Sequence, residues 1–340
     1  MIQKDLSVKP LLDRIRVLVR LFRKSSVAIQ RLLKLSGLTL VKDCPTRWSS
    51  TYLMISRLLQ VKDSLVQVAD EMGWDCLLPS EWQKLTALRD LLLPFAEHSQ
   101  ILQSDTMSLS LVLPALLDLN AHLSEFPDAQ DSCYRDLASL SQTMKENMGQ
   151  RFNCFLDPSD TKFTPLIAAA CFLDPTVSPE ALVENEHDDV QIQELLRKAE
   201  DYIAQMVSPV IREEETDDNE DEEERREVPL PETKRPRFRF LSKASASRPS
   251  RSSLSKPCVR QEMLKFKDSM NKETALDFWA AQGSVYQSLK PLALDLLAMP
   301  ASQAFAERVF SITGDLTRGR RNRARVILER SAFLKLNTDQ

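Results

Sequence analysis

The sequence predicts a mostly α-helical fold, and three observations carry that expectation. Apolar residues recur at three- and four-residue spacing in one segment after another, with leucine dominating. Only six glycines and four tyrosines occur in 340 residues, too few for a β-sandwich or a Rossmann-type sheet. Eighteen prolines interrupt the pattern, so the helices must be numerous and broken rather than one continuous bundle.

The first amphipathic segment sets Leu11, Ile15, Leu18 and Phe22 on one face and Asp13, Arg16, Arg20 and Lys24 on the other. It is expected to run on toward Leu35 and to stop at Gly37. After a loop at 41–48, Ser49 or Ser50 can cap a helix reaching about Ala69, with Tyr52, Ile55, Leu59 and Val66 inward. Ser80 and Gln83 have capping-box spacing, so a long helix should start there, kink at Pro94 and continue to about Gln103. Residues 109–123 and 132–155 read as two further helices. Residues 165–172 are small and apolar, suited to a fully buried helix that Asp174-Pro175 stops. Another helix is expected over 191–207.

Composition then changes abruptly. Residues 213–227 are nearly all charged and mostly acidic, whereas 234–256 are basic, serine-rich and broken by proline. Neither half can bury enough apolar surface to offset its ordering entropy, so 212–257 reads as a disordered linker. The chain thus divides into a helical region (1–211), the linker (212–257) and a C-terminal region (258–340). Within the last, 263–267, 275–279 and 289–297 read as helices, and strand signal is confined to about 38–42.

Several function classes are disfavoured. Six scattered cysteines give neither a disulfide framework nor a C-x-x-C zinc site. The three histidines are isolated, and no glycine-rich phosphate loop occurs. No apolar run approaches the ~20 residues that span a membrane, and the N-terminus lacks a signal-peptide core, so a soluble intracellular protein is expected.

Two segments carry candidate chemistry. Near the end, Ser302 can cap a helix through Thr313, with Gly314 as its stop. Phe305, Val309 and Ile312 cluster on one face of it, with Glu307 roughly 165° away and Phe310 on its side. That carboxylate reads as an ordinary solvated glutamate or as one facing a metal or a partner. Arg318, Arg320, Arg321, Arg323 and Arg325 follow within eight residues, a cluster suited to phosphates or to a solvated turn. Val326, Ile327, Phe333 and Leu334 then make an apolar helix face that needs a partner surface, within the chain or from a second copy. The second segment is Thr46-Arg47-Trp48: a cation beside a stacking plate, able to hold an unstacked base or to sit as core. Lys234-Arg235-Pro236-Arg237 has the form of a short nuclear-localisation patch.

At these two places the chain resembles the hAT superfamily of DNA transposases and the domesticated BED-zinc-finger proteins derived from them. The closing segment is similar to the family's C-terminal dimerisation pattern, P-x-S-x-x-x-x-E-R-x-F-S-x-x-G, through Pro300, Ser302, Glu307, Arg308, Phe310, Ser311 and Gly314. The segment Cys44 to Tyr52 resembles its arginine-tryptophan motif. Asp277-Phe278-Trp279, and Ile167 to Ala170 followed by Leu173-Asp174-Pro175, stand where the family places such features.

The resemblance implies a helical insertion domain followed by the C-terminal helices of an incomplete ribonuclease-H-like core. It casts Glu307 as the third of three metal-binding acids and Trp48 as the stacking residue for a flipped base. The first two acids have no match here, since residues 1–40 are helical in pattern; Asp43 adjoins the loop and Asp174 ends a helix. The expected function is therefore a dimerisation module without a complete catalytic site, nuclear and DNA-associated. The expected partner is a second copy or a related hAT-type chain, with Phe305, Val309, Phe310, Ile327, Phe333 and Leu334 as the contact residues. No cofactor is expected of this chain alone; a divalent metal such as Mg would belong to a full core. The alternative is a truncated piece of an active transposase.

Overall fold

The computed structural model describes residues 5–44, 48–103, 109–128, 132–177, 186–207, 259–267, 274–317 and 333. Among them the chain is mostly α-helical, without a β-strand. The linker expected at 212–257 lies outside the described residues.

The amphipathic face of the first segment is buried as its spacing requires, with Leu11, Ile15, Leu18 and Phe22 all in the core. Its length is a different matter. Two helices form, α1 (Lys9–Lys24) and α2 (Ser26–Ser36), because Ser25 turns extended and its hydroxyl accepts the Ala28 N–H at 3.2 Å. Gly37 ends α2 at φ +69°, as its freedom from a Cβ allows. The next expected helix is likewise divided at Val61, into α3 (Trp48–Gln60) and α4 (Lys62–Glu71).

Helix α5 (Pro79–Leu102) opens one residue earlier than the serine signal suggests. Proline occupies its first position, and Glu81, not Gln83, reaches back to accept the Leu78 N–H at 2.8 Å. The helix passes through Pro94 without ending. A 3-10 turn (Leu109–Leu111) leads into α6 (Val112–Glu125). The single helix expected over 132–155 is two, α7 (Ser132–Arg135) and α8 (Ala138–Leu156). Helices α9 (Leu166–Phe172), α10 (Glu186–Val207), α11 (Val259–Lys267), α12 (Ala275–Ala281) and α13 (Leu289–Leu297) follow, and α14 (Ala304–Thr317) comes last.

Two hydrophobic cores organise these elements. The first is aliphatic and joins α1–α5, α7 and α8 around Leu12, Ile15, Met54, Leu58, Leu88 and Leu91. The second gathers α9 and α10 with α11–α13, so it draws on both sides of residues 208–258. Helix α6 serves both: Leu119 and Leu123 enter the first core, Leu113 and Leu116 the second. Helix α9 is buried from Ile167 to Phe172, and its run of alanines lets neighbouring helices approach closely.

An aromatic cluster closes the second core. Phe266 stacks on Trp279 with ring centroids 5.1 Å apart, while Phe278 and Tyr286 meet the same ring edge-on. The indole Nε1 of the fully buried Trp279 donates to the Leu173 carbonyl at 2.9 Å. Asp277-Phe278-Trp279 and Leu173-Asp174-Pro175 are thereby joined across 106 residues. Helix α13 has no side-chain cap of its own. The buried carboxylate of Glu262 takes that role, accepting the N–H groups of Ser288 (3.0 Å) and Leu289 (3.1 Å).

Candidate dimerisation and nucleic-acid interface

The closing helix is fastened at its beginning. The Leu109 N–H donates to the Met299 carbonyl at 3.3 Å, and the Ser302 hydroxyl donates to the Leu102 carbonyl at 3.0 Å. The same hydroxyl accepts the Ala304 N–H at 3.4 Å, which supports Ser302 as the local start signal. Arg308 Nη1 then donates to the Gln103 carbonyl at 3.1 Å. Gln103 caps the C-terminal end of α5, where free carbonyls and the helix dipole favour a cation. This anchoring role of Arg308 was not legible in the sequence, where its neighbours showed only a basic residue beside Glu307.

Among the described side chains of α14 most are exposed. Glu307 and Arg308 are exposed, Val309 is half-buried, and Phe310 is 75% exposed. Gly314 does not stop the helix, which runs on to Thr317: three more residues keep helical hydrogen bonding despite the permissive glycine. Phe333 is helical and 67% exposed. The side chain of Phe305 lies outside the described residues, as do Arg318, Arg320, Arg321, Arg323, Ile327 and Leu334.

Asp43 and Asp174 are engaged with other partners. Asp43 is buried against Arg16, whose Nε lies 2.8 Å from its Oδ2. Asp174 accepts the Ser110 hydroxyl at 2.6 Å and the Thr176 N–H at 2.9 Å. Among the described residues no three His, Cys, Asp or Glu side chains are grouped to hold a metal ion.

The loop before α3 is held more tightly than its lack of regular structure suggests. Arg16 pairs with Asp43, Arg23 Nη1 donates to the Leu40 carbonyl (3.1 Å), and Arg57 Nη1 donates to the Thr39 carbonyl (2.9 Å). Ser50 does not cap α3 from outside, because the helix already begins at Trp48. Its hydroxyl instead reaches back to Cys44, accepting the backbone N–H at 2.7 Å and donating to the carbonyl at 2.9 Å. Three arginines and one serine thus fix the segment that delivers Arg47 and Trp48. Arg47 itself and the Trp48 side chain lie outside the described residues.

The fold and these two sites define a helical scaffold that presents a terminal helix and a clamped loop. Residues 251–331 match the hAT family C-terminal dimerisation region, a span that takes in α11 to α14 and the arginine cluster. The human zinc finger BED domain-containing protein 4 is 24% identical over 162 residues, which cover 47% of this chain and 13% of that protein. The chain therefore matches only a small part of that relative's length. Its residues 251–331 are thus similar to a hAT dimerisation region, and both likenesses are consistent with a hAT-derived protein.

Proposed function

We propose that the chain is a transposase-derived dimerisation module, nuclear and DNA-associated, working without a complete catalytic site of its own. The observation that carries this reading is the match of 251–331 to a dimerisation region, together with the posture of α14. Arg308 ties the helix to the end of α5, and Phe310 stands exposed two residues beyond that anchor. An aromatic side chain on a helix anchored at one end offers apolar area to a partner at little ordering cost. The partner is a second copy or a related hAT-type chain.

Charge reversal tests the surface. Replacing Phe310 and Phe333 by Asp is expected to convert a dimer to a monomer in light scattering, with helix content unchanged by circular dichroism. A monomeric unmodified chain, or a variant that stays dimeric, overturns the assignment. Nuclear residence is tested by imaging the tagged chain with and without Lys234, Arg235 and Arg237 changed to Ala; exclusion of the unmodified chain from nuclei refutes it.

The second reading, a piece of an active transposase, is favoured by one observation: Glu307 is exposed on the E-R-x-F-S helix, where the family pattern puts an acid. Metal-dependent nicking of hairpin DNA by this chain alone, abolished by Glu307→Gln, would establish that reading over the first.

A further inference from the structure

The amino-terminal part of the chain is charged unlike the remainder. Residues 1–44 contain ten basic and three acidic residues, although the chain as a whole carries −4. Two of those acids, Asp13 and Asp43, sit on the same cation, Arg16, at 3.0 and 2.8 Å. Arg14 and Arg31 pair with Glu81 and Glu71, whereas Arg23 and Arg57 donate to carbonyl oxygens rather than to carboxylates.

Helix geometry collects the excess on one side. Arg16, Arg20 and Lys24 recur every four residues and Arg23 lies three after Arg20, so the four line one arc of α1. Arg16 and Arg23 reach Asp43 and Leu40, which turns that arc toward the loop. Arg20 lies between them on the helix surface, and Lys24 lies one turn further on. Both are exposed and make no ion pair among the described residues. Lys42, on the loop itself, is exposed as well. Duplex DNA carries one negative charge per about 1.7 Å of axis, so one short stretch of backbone can meet several of these cations.

We propose that Arg20, Arg23, Lys24 and Lys42 form a ridge that binds the phosphate backbone of DNA. The proposal rests on the DNA-association reading above and extends it to a surface that the motif residues do not include. Guanidinium and ammonium groups free of carboxylates are the chemistry that phosphate selects. Such backbone contacts supply affinity and register rather than base readout.

The test is fluorescence anisotropy of the full chain with labelled duplex and single-stranded oligonucleotides across a salt series. Arg20→Glu with Lys24→Glu is expected to weaken duplex binding at least tenfold and to flatten the slope of log K against log salt by about two, roughly 0.9 per lost phosphate contact. Because both residues are exposed, the variant is expected to keep its melting temperature and its oligomeric state. Binding with unchanged affinity and slope overturns the ridge. If Arg47→Ala with Trp48→Ala abolishes binding while the ridge variant keeps it, the DNA-association reading stands and the ridge falls. If the unmodified chain binds neither oligonucleotide, or binds without salt dependence, both fall.

Discussion

The two cores of this molecule are built by different means. The first is mainly aliphatic and assembled from helices that follow one another closely in sequence, with leucine, isoleucine and valine around a few rings such as Phe22 and Trp82. The second is closed by five aromatic rings and a single indole-to-carbonyl hydrogen bond, and its halves lie on either side of residues 208–258. Dispersed aliphatic packing spreads its stabilisation over many replaceable contacts. A directional bond at a stacked tryptophan concentrates it at one point. The closing helix α14 follows α13 of the second core and is tied to the end of α5, so it touches both halves of this contrast.

The sharpest way to break the comparison is Trp279→Ala. It removes a fully buried ring, the stack on Phe266 and the bond to Leu173, and is expected to cost about 3–5 kcal/mol in denaturant titration. A loss below about 1 kcal/mol would mean that the second core is as redundant as the first. Next in size is Asp43→Ala, which leaves Arg16 without its buried partner and is expected to cost about 2–3 kcal/mol. Since Arg16 and Asp43 fasten the loop before α3, the variant should also speed amide exchange around Cys44 and Ser50; unaltered exchange would show that Arg23 and Arg57 suffice.

Glu262→Gln is a milder probe of how the second core receives α13. One acceptor oxygen remains for the Ser288 and Leu289 N–H groups, but the charge is gone, so about 1–2 kcal/mol is expected from thermal melts. The smallest effect is chemical. Cys171 is fully enclosed in the second core, and burial, with Asp174 nearby, pushes its thiol up to about 12. Cys44 is exposed. At pH 8 a thiol reagent should label Cys44 and leave Cys171 until the chain unfolds. Above pH 9.0 the unfolded thiol loses a proton that the native one keeps, so stability should fall between that value and about 12. Labelling of native Cys171 would contradict its enclosure.

Much of the helical fold was readable before any coordinates. The face of α1 followed from Leu11, Ile15, Leu18 and Phe22, and buried α9 from its unbroken small apolar run. Helix ends were less readable, because a cap is a local choice among competing hydrogen bonds. Ser25 breaks a pattern whose apolar period runs straight through it, and Gly314 leaves a helix unbroken where a stop was expected. The candidate contact residues on α14 could be named from spacing, but the residue that fixes the helix, Arg308, could not.

The sequence by itself determined the class of fold, the acidic and basic segregation, and the two motifs that resemble hAT proteins. Each of these is written in neighbouring residues, through periodicity, composition or spacing. Tertiary structure alone decided that Asp43 serves Arg16 and Asp174 serves Ser110 and Thr176, that Trp279 bonds to Leu173, and that Arg308 holds the end of α5. Each of those contacts pairs groups that the chain brings together only on folding, except Thr176, two residues from Asp174. Long-range partners follow from how helices pack, and helix packing follows from side-chain shape over whole faces rather than from any local signal.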